Sequence, residues 1–428
     1  MRAFARRAIA ITAASLVTAS LAVTATPSAA QAADKPYVKV GYFTQWGIYG
    51  RQFPAANLQK SGAAKELTHI NYAFSDVTAA GVCASADPWA DWGTSFSAEN
   101  SVDGVADEAG QPIAGNLNQL AELKAANPGL RVLISLGGWT LSKYFSDAAA
   151  TPASRTKLVD SCVDLWLKGN LPDLAPGVAA GIFDGIDLDW EWPGSEGNAG
   201  NVIRPEDKRN FTKLLAEFRL KIDKLGRSNG HRYELTAFLP AAPAKITAGF
   251  QVGEIFDYLD FGTVQGYDFH GSWEARANQQ SALRVPKGAP DSPDFSITGT
   301  INTWLRKGAP RDQLVLGIPY YGQGWTGVSD GLFGAATGPA PGLFAAGTED
   351  YKTLKQLPAQ GYDVVRDAKA GHTYLWNGET FWTYDDPTQI LQKTAYIRME
   401  GLGGAMMWSL DGDDENASLT KAISTGLS

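Results

Sequence analysis

Residues 183–193 read Phe183-Asp184-Gly185-Ile186-Asp187-Leu188-Asp189-Trp190-Glu191-Trp192-Pro193. Successive side chains of an extended chain point to opposite faces. Asp187, Asp189 and Glu191 therefore share one face, and Ile186, Leu188 and Trp190 share the other. The apolar face needs a layer of helices to cover it. The acidic face then looks into an enclosed interior. Asp184 falls on the opposite parity, and the pattern gives it no role. Three neighbouring carboxyl groups cannot all ionise, so their pKa values are forced apart. A single site thereby obtains a protonated acid beside an ionised base. Two other readings exist for such a run: a solvated acidic edge, which the intervening apolar residues oppose, and a carboxylate cluster for Mg²⁺ or Ca²⁺.

Outward from this strand, short apolar runs alternate with helical ones. Further strands are expected at Tyr37–Phe43, Leu67–Phe74, Leu130–Leu136, Tyr233–Leu239, Phe261–Tyr267, Leu314–Ile318 and Leu402–Trp408. Helices are expected at Asn116–Asn127, Pro152–Lys168 with Thr151 as N-cap, Pro205–Leu225 stopping at Gly226, Thr298–Lys307 and Thr388–Glu400. Alternating strands and helices predict a parallel sheet covered by helices, and eight strands predict an α/β fold of the closed (β/α)₈ barrel type. An open doubly wound sheet is the alternative, but no glycine-rich dinucleotide fingerprint follows the first strand. From Gln323 to Trp382 the spacing breaks into a stretch rich in Gly, Thr, Tyr and Trp. A structureless loop of that length is unusual in a compact domain, which predicts a small α+β subdomain inserted after strand 7. The expected partition is residues 1–32 as an export signal, 33–322 and 384–428 as the barrel, and 323–383 as the insertion. The segment Thr78–Gln111 is a second long connection.

The export signal is read from a basic start at Arg2, Arg6 and Arg7, an uncharged apolar run from Ala8 to Val23, and Ala30-Gln31-Ala32 as a small-residue cleavage pattern. Removal of these residues takes three Arg and no acid, so the formal net charge falls from −8 to −11. Such a chain repels phosphate backbones, and nucleic acid is not expected as a ligand. No later run is apolar enough for a membrane span, so an exported protein free of the membrane is expected. Charged residues at 19% against 44% hydrophobic residues exclude a mostly disordered chain. Four His and two Cys cannot build a Cys-rich zinc module. In an exported protein Cys83 and Cys162 favour one disulfide, with two buried thiols as the alternative. No Gly-x-Ser-x-Gly elbow supports a Ser-His-Asp hydrolase.

The run Asp184-Gly185-Ile186-Asp187-Leu188-Asp189-Trp190-Glu191 resembles the signature of family 18 glycoside hydrolases, the chitinases. Ser135-Leu136-Gly137-Gly138-Trp139 is similar to that family's Ser-x-Gly-Gly element, and Gly41-Tyr42-Phe43-Thr44-Gln45-Trp46 looks like its first strand. Tyr267-Asp268 and Trp408 fit its remaining site positions. The likeness spans residues 37–414 and includes the insertion found in the bacterial-type subfamily. The family often has Met where Gln265 stands and Tyr where Trp192 stands.

The resemblance implies a secreted, retaining hydrolase of β-1,4-linked N-acetylglucosamine polymers that works by substrate assistance. Glu191 would be the general acid and base, and Asp189 would orient the substrate acetamido group. Asp187 would share a proton with Asp189, and Tyr267 would donate to the acetamido carbonyl. Asp268, Trp408, Tyr42, Trp139, Gln265, Trp273 and Trp325 are expected to bind substrate. Trp139, Trp273, Trp325 and Trp46 would be stacking platforms. Chitin and chitooligosaccharides are the expected partners, the chain is expected to be a monomer, and no cofactor or metal is expected. Ser135, Gly137 and Gly138 are read as letting the neighbouring strand pack close to the acids, and His270 as structural. A non-catalytic chitin-binding lectin usually lacks the terminal Glu. An endo-acting N-glycan hydrolase would share the acids, but the insertion and thirteen Trp favour a long linear polymer.

Overall fold

The computed structural model describes residues 36–290 and 295–428. The expected export signal lies outside the described residues. Eight parallel strands close into a barrel: β1 (Val38–Thr44), β2 (His69–Val77), β3 (Arg131–Gly137), β4 (Gly185–Asp189), β5 (Glu234–Leu239), β6 (Phe261–Val264), β7 (Leu314–Pro319) and β8 (Gly404–Trp408). β1 pairs with both β2 and β8, which closes the ring. A short antiparallel strand, Cys83–Ser85, adds to β2 outside it. Sequence pattern did not mark that strand.

Each barrel strand is buried on both faces. On β4, Ile186 and Leu188 are fully buried in the layer between strands and helices. Each such side chain contributes roughly 1.5–3 kcal/mol to stability. Trp190 belongs to the same layer and stacks on Phe145 at 5.3 Å between ring centroids. The inward face of β4 is different. Asp187 stands opposite Ser135 on β3 and Thr236 on β5, so the register itself brings two hydroxyls to one carboxylate. The alternation read from residues 183–193 holds through Asp189, where the strand ends. Glu191 lies two residues beyond it, at the mouth.

The expected N-cap is present: Thr151 Oγ1 accepts from the Ser154 N–H at 3.1 Å, opening the helix Pro152–Cys162. The long helix runs Asp207–Asn229, past Gly226, and is ended by Gly230 at φ +73°. Gly226 serves another purpose. A Cβ there would lie 2.3 Å from the His231 carbonyl oxygen. Cys83 and Cys162 form a disulfide that ties the short strand to the helix Pro152–Cys162.

Between β7 and β8, six strands form an antiparallel sheet. They are Tyr321–Thr326, Gly338–Pro339, Thr348–Asp350, Asp363–Asp367, His372–Trp376 and Phe381–Tyr384, with a short helix at Tyr351–Leu354. This is a small α+β element inserted into a (β/α)₈ barrel. Trp325 was expected to be a stacking platform and is instead fully buried in the sheet's own core with Val328 and Phe381. Its indole N–H donates to the Glu274 carbonyl at 3.0 Å. An antiparallel sheet with one packed face needs large apolar anchors, and Trp325 is spent on that core.

Candidate active site

A cavity of about 860 Å³ opens at the C-terminal end of the barrel strands. Its lining includes Tyr42, Trp46, Trp139, Asp189, Glu191, Gln265, Tyr267, Asp268, Trp273 and Trp408. All the expected site residues line it except Asp187, which is buried beneath, and Trp325.

Asp187 is wholly enclosed, and three hydroxyls donate to it. Tyr42 and Ser135 reach Oδ2, each at 2.8 Å, and Thr236 reaches Oδ1 at 2.6 Å. Burial raises the Asp187 carboxyl, and the three donors pull it back down. Hydrogen bonds to the charged form are the usual means by which a buried carboxylate stays ionised. No hydrogen bond joins Asp187 to Asp189.

Asp189 has the opposite environment. Its Oδ1 is buried without a hydrogen-bond partner. Burial pushes its pKa well up, and the Glu191 and Asp187 charges push it further. The neighbouring strand can come this close only because Gly137 has no side chain. A Cβ there would lie 2.4 Å from the Asp189 carbonyl oxygen, and Gly137 has φ +103°. Gly138, at φ +76°, would meet the Phe74 ring at 2.6 Å. Gly137 thus lets its strand pack against Asp189 as expected, whereas Gly138 makes room for the Phe74 ring and not for the acids.

Glu191 is half-buried at the mouth. Its backbone is pinned from both sides: the Ser142 hydroxyl accepts from its N–H at 2.9 Å, and the Asn201 amide donates to its carbonyl at 2.9 Å. Burial pushes its carboxyl up to about 8, Lys245 opposes the rise, and Asp268 adds to it. A carboxylic acid of this kind carries its proton at neutral pH.

Tyr267 is buried and lines the cavity, with its hydroxyl bonded to no described residue. Burial, then the charge of Asp268, keeps that hydroxyl protonated and so a donor. Asp268 has φ +55° and is held from the inserted sheet. Tyr321 donates to its Oδ1 at 2.6 Å and Gln323 at 3.0 Å. It makes no hydrogen bond to Glu191 and acts on it through its charge alone. Trp408 meets Tyr42 edge-on at 5.1 Å and stacks on Phe74 at 5.8 Å. Trp46, Trp139 and Trp273 are 40%, 49% and 63% exposed on the walls, open to a flat ligand. His270 is buried against Glu274, Nδ1 to Oε2 3.0 Å, as a structural pair.

Phe74, Phe238, Lys245, Glu274 and Phe295 also line the cavity and were missed. Each sits on, or in the connection after, a barrel strand. Position at a strand's C-terminal end is the one signal that could have marked them. Asp184 has a structural role: it accepts from the Val132 N–H at 2.9 Å and pairs with Lys124 at 2.7 Å.

Residues 38–413 match the model of glycosyl hydrolases family 18. Chitinase 63 of Streptomyces plicatus is 40% identical over 399 residues, covering 91% of this chain and 60% of the relative. Chitinase C of Streptomyces lividans is 40% identical over 89% of this chain and 58% of its own length. This chain therefore spans about three fifths of the length of these curated relatives. The catalytic domain of psychrophilic chitinase B from Arthrobacter TAD20 superposes with a TM-score of 0.88 at 46% identity, covering 92% of this chain and 95% of that one. Chitinase ChiA74 from Bacillus thuringiensis does so at 0.80 and 31% identity, over 92% and 70%.

Proposed function

The chain belongs to family 18 of the glycosyl hydrolases, and from that premise we propose that it is a chitinase that cleaves β-1,4-linked N-acetylglucosamine polymers with retention of configuration. The observation that carries the reading is the pairing of a protonated Glu191 at the mouth with an unsatisfied Asp189 below it. The names of the relatives support chitin as the substrate class.

The reaction follows from these environments. The substrate's acetamido oxygen attacks the anomeric carbon as the glycosidic C–O bond breaks, and Glu191 gives its proton to the leaving oxygen. The product is a cyclic oxazolinium ion. Asp189 accepts from the acetamido N–H with its vacant Oδ1 and offsets the positive charge. Asp187, held by its three hydroxyls, keeps a second negative charge beneath. Tyr267 donates to the acetamido oxygen and orients it. Water then attacks the anomeric carbon, Glu191 takes its proton back, and the acetamido group is restored. Trp408 floors the reacting sugar, and Trp46, Trp139 and Trp273 stack on its neighbours. The reading includes export of the chain as a monomer. Residues 1–32 and the disulfide support export.

The test compares the wild type with Glu191→Gln on N-acetylglucosamine hexamer, following fresh product anomers by NMR. Initial β-anomer is expected, with a rate loss of about 10²–10⁴ in the variant. Initial α-anomer would overturn substrate assistance. Chitin binding without cleavage by either protein would replace the enzyme with a lectin.

A further inference from the structure

The long connection after β2 carries a buried carboxylate that lies outside the cavity. Asp91 is fully buried in the single helical turn Trp89–Gly93, and it does not line the cavity. Three side chains from three segments donate to it. Gln45 Nε2 reaches Oδ1 at 2.5 Å, the Tyr72 hydroxyl of β2 also reaches Oδ1, and the Ser85 hydroxyl of the short outer strand reaches Oδ2. A buried carboxylate is tolerated when its oxygens are filled in this way. Each donor is thereby tied to one fixed point.

Gln45 links that point to the cavity. It is the first residue after β1 and immediately precedes Trp46. Gln45 is buried, whereas Trp46 is partly exposed and lines the cavity. Both polar ends of Gln45 are held. Its side chain is taken by Asp91, and its carbonyl accepts from Asn116 Nδ2 at 3.1 Å. Asn116 Nδ2 also donates to the Tyr72 hydroxyl at 3.1 Å, which joins both grips in one network. The outer end of the same turn is clasped to the same connection, with the Tyr49 hydroxyl donating to Asp87 Oδ2 at 2.7 Å. The Trp46 ring has one aromatic neighbour among the described residues, Phe74, at 6.0 Å between centroids. A partly exposed indole takes its angle from the backbone that carries it, and here that backbone is set by Asp91 and Asn116.

We propose that Asp91 is a positioning residue that sets the angle of Trp46 on the cavity wall through the side chain of Gln45. The proposal rests on the reading of the site given above, in which Trp46 stacks on a sugar beside the reacting one. It gives the long connection after β2 a part in substrate binding although Asp91 touches no sugar. Stacking depends on the angle and offset of the ring, so a Trp46 released from its setting is expected to weaken substrate binding about three- to tenfold. The chemistry at Glu191 and Asp189 stays as it is, because neither residue bonds to Asp91, Gln45 or Trp46.

A double-mutant cycle on N-acetylglucosamine hexamer tests the link. The wild type, Asp91→Asn, Trp46→Ala and the double variant are compared by kcat and KM. Asparagine keeps the shape of the side chain and removes the charge that the three donors meet. KM is expected to rise about three- to tenfold in Asp91→Asn, with kcat within about twofold of wild type. In the Trp46→Ala background the same substitution is expected to change KM by less than about twofold, because no ring is left to aim. A merely structural Asp91 shows no such coupling. An unchanged KM in Asp91→Asn, or a rise in KM or fall in kcat of the same size in both backgrounds, would overturn the proposal. Gln45→Met carries the test if Asp91→Asn does not fold. It removes the amide and leaves Asp91 its Tyr72 and Ser85 donors, and it is expected to repeat both results. Failure of the wild type to cut the hexamer would instead refute the underlying chitinase reading, and the proposal with it.

Discussion

Thr236→Val isolates what the hydroxyl cradle does for Asp187. Thr236 is fully buried, donates to Asp187 Oδ1 at 2.6 Å, and does not line the cavity. Valine keeps the side chain's shape and removes only the donor. A hydrogen bond to a charged group is worth about 1.5–3 kcal/mol, which corresponds to about one to two pKa units. Burial already raises Asp187, so its native form is most stable with the proton on and loses stability as pH rises through its native pKa. In the variant that loss continues to a higher pH and is larger. Urea unfolding of the full chain at pH 7 is expected to show a deficit of about 1.5–3 kcal/mol against wild type. At pH 4 the deficit shrinks toward the about 0.5–1.5 kcal/mol of a neutral hydrogen bond. An equal deficit at both pH values, or one under about 0.5 kcal/mol at pH 7, would refute the idea that Thr236 holds a charge.

Three further outcomes follow from the same structure. In the proposed mechanism Glu191 acts as an acid, and burial pushes its carboxyl up to about 8, so kcat/KM on the hexamer is expected to fall about tenfold per pH unit only above that value; a fall beginning near pH 5 contradicts it. Gly137→Ala forces a Cβ to 2.4 Å from the Asp189 carbonyl oxygen at φ +103°, and thermal unfolding is expected to show a loss of about 2 kcal/mol or more. His372 is buried with neither ring nitrogen hydrogen-bonded, and burial lowers its pKa to about 4. Its contribution is complete above pH 6.5 and lost as pH falls through about 4, so His372→Leu is expected to remove about 3 kcal/mol of acid lability in unfolding curves taken from pH 7 to pH 4.

The barrel was legible because β4 carries two chemistries on two faces, and period-2 alternation separates them without any knowledge of the rest. Asp187, Asp189 and Glu191 were found the same way. Local pattern does not reveal who answers a buried charge. Ser135 and Thr236 reach Asp187 through strand register, and Tyr42 comes from a strand 145 residues away. Trp325 was misplaced because composition marks an aromatic but not which of two cores claims it. Lys245 escaped notice because a lone Lys in a short helix has no signature; only the cavity around it gives it meaning. Gly226 looked like a helix stop, while the real stop needed a left-handed residue, which Gly230 supplies.

The grip of Tyr321 and Gln323 on Asp268 has a consequence for how such enzymes can diverge. Both residues belong to the inserted sheet, and the charge they hold feeds directly into the acidity of Glu191. The insertion is thus wired to Glu191, the proposed proton donor, although none of its residues lines the cavity. A chain that exchanged this sheet for another would inherit a different acid in the same cavity, and its working pH would travel with the graft.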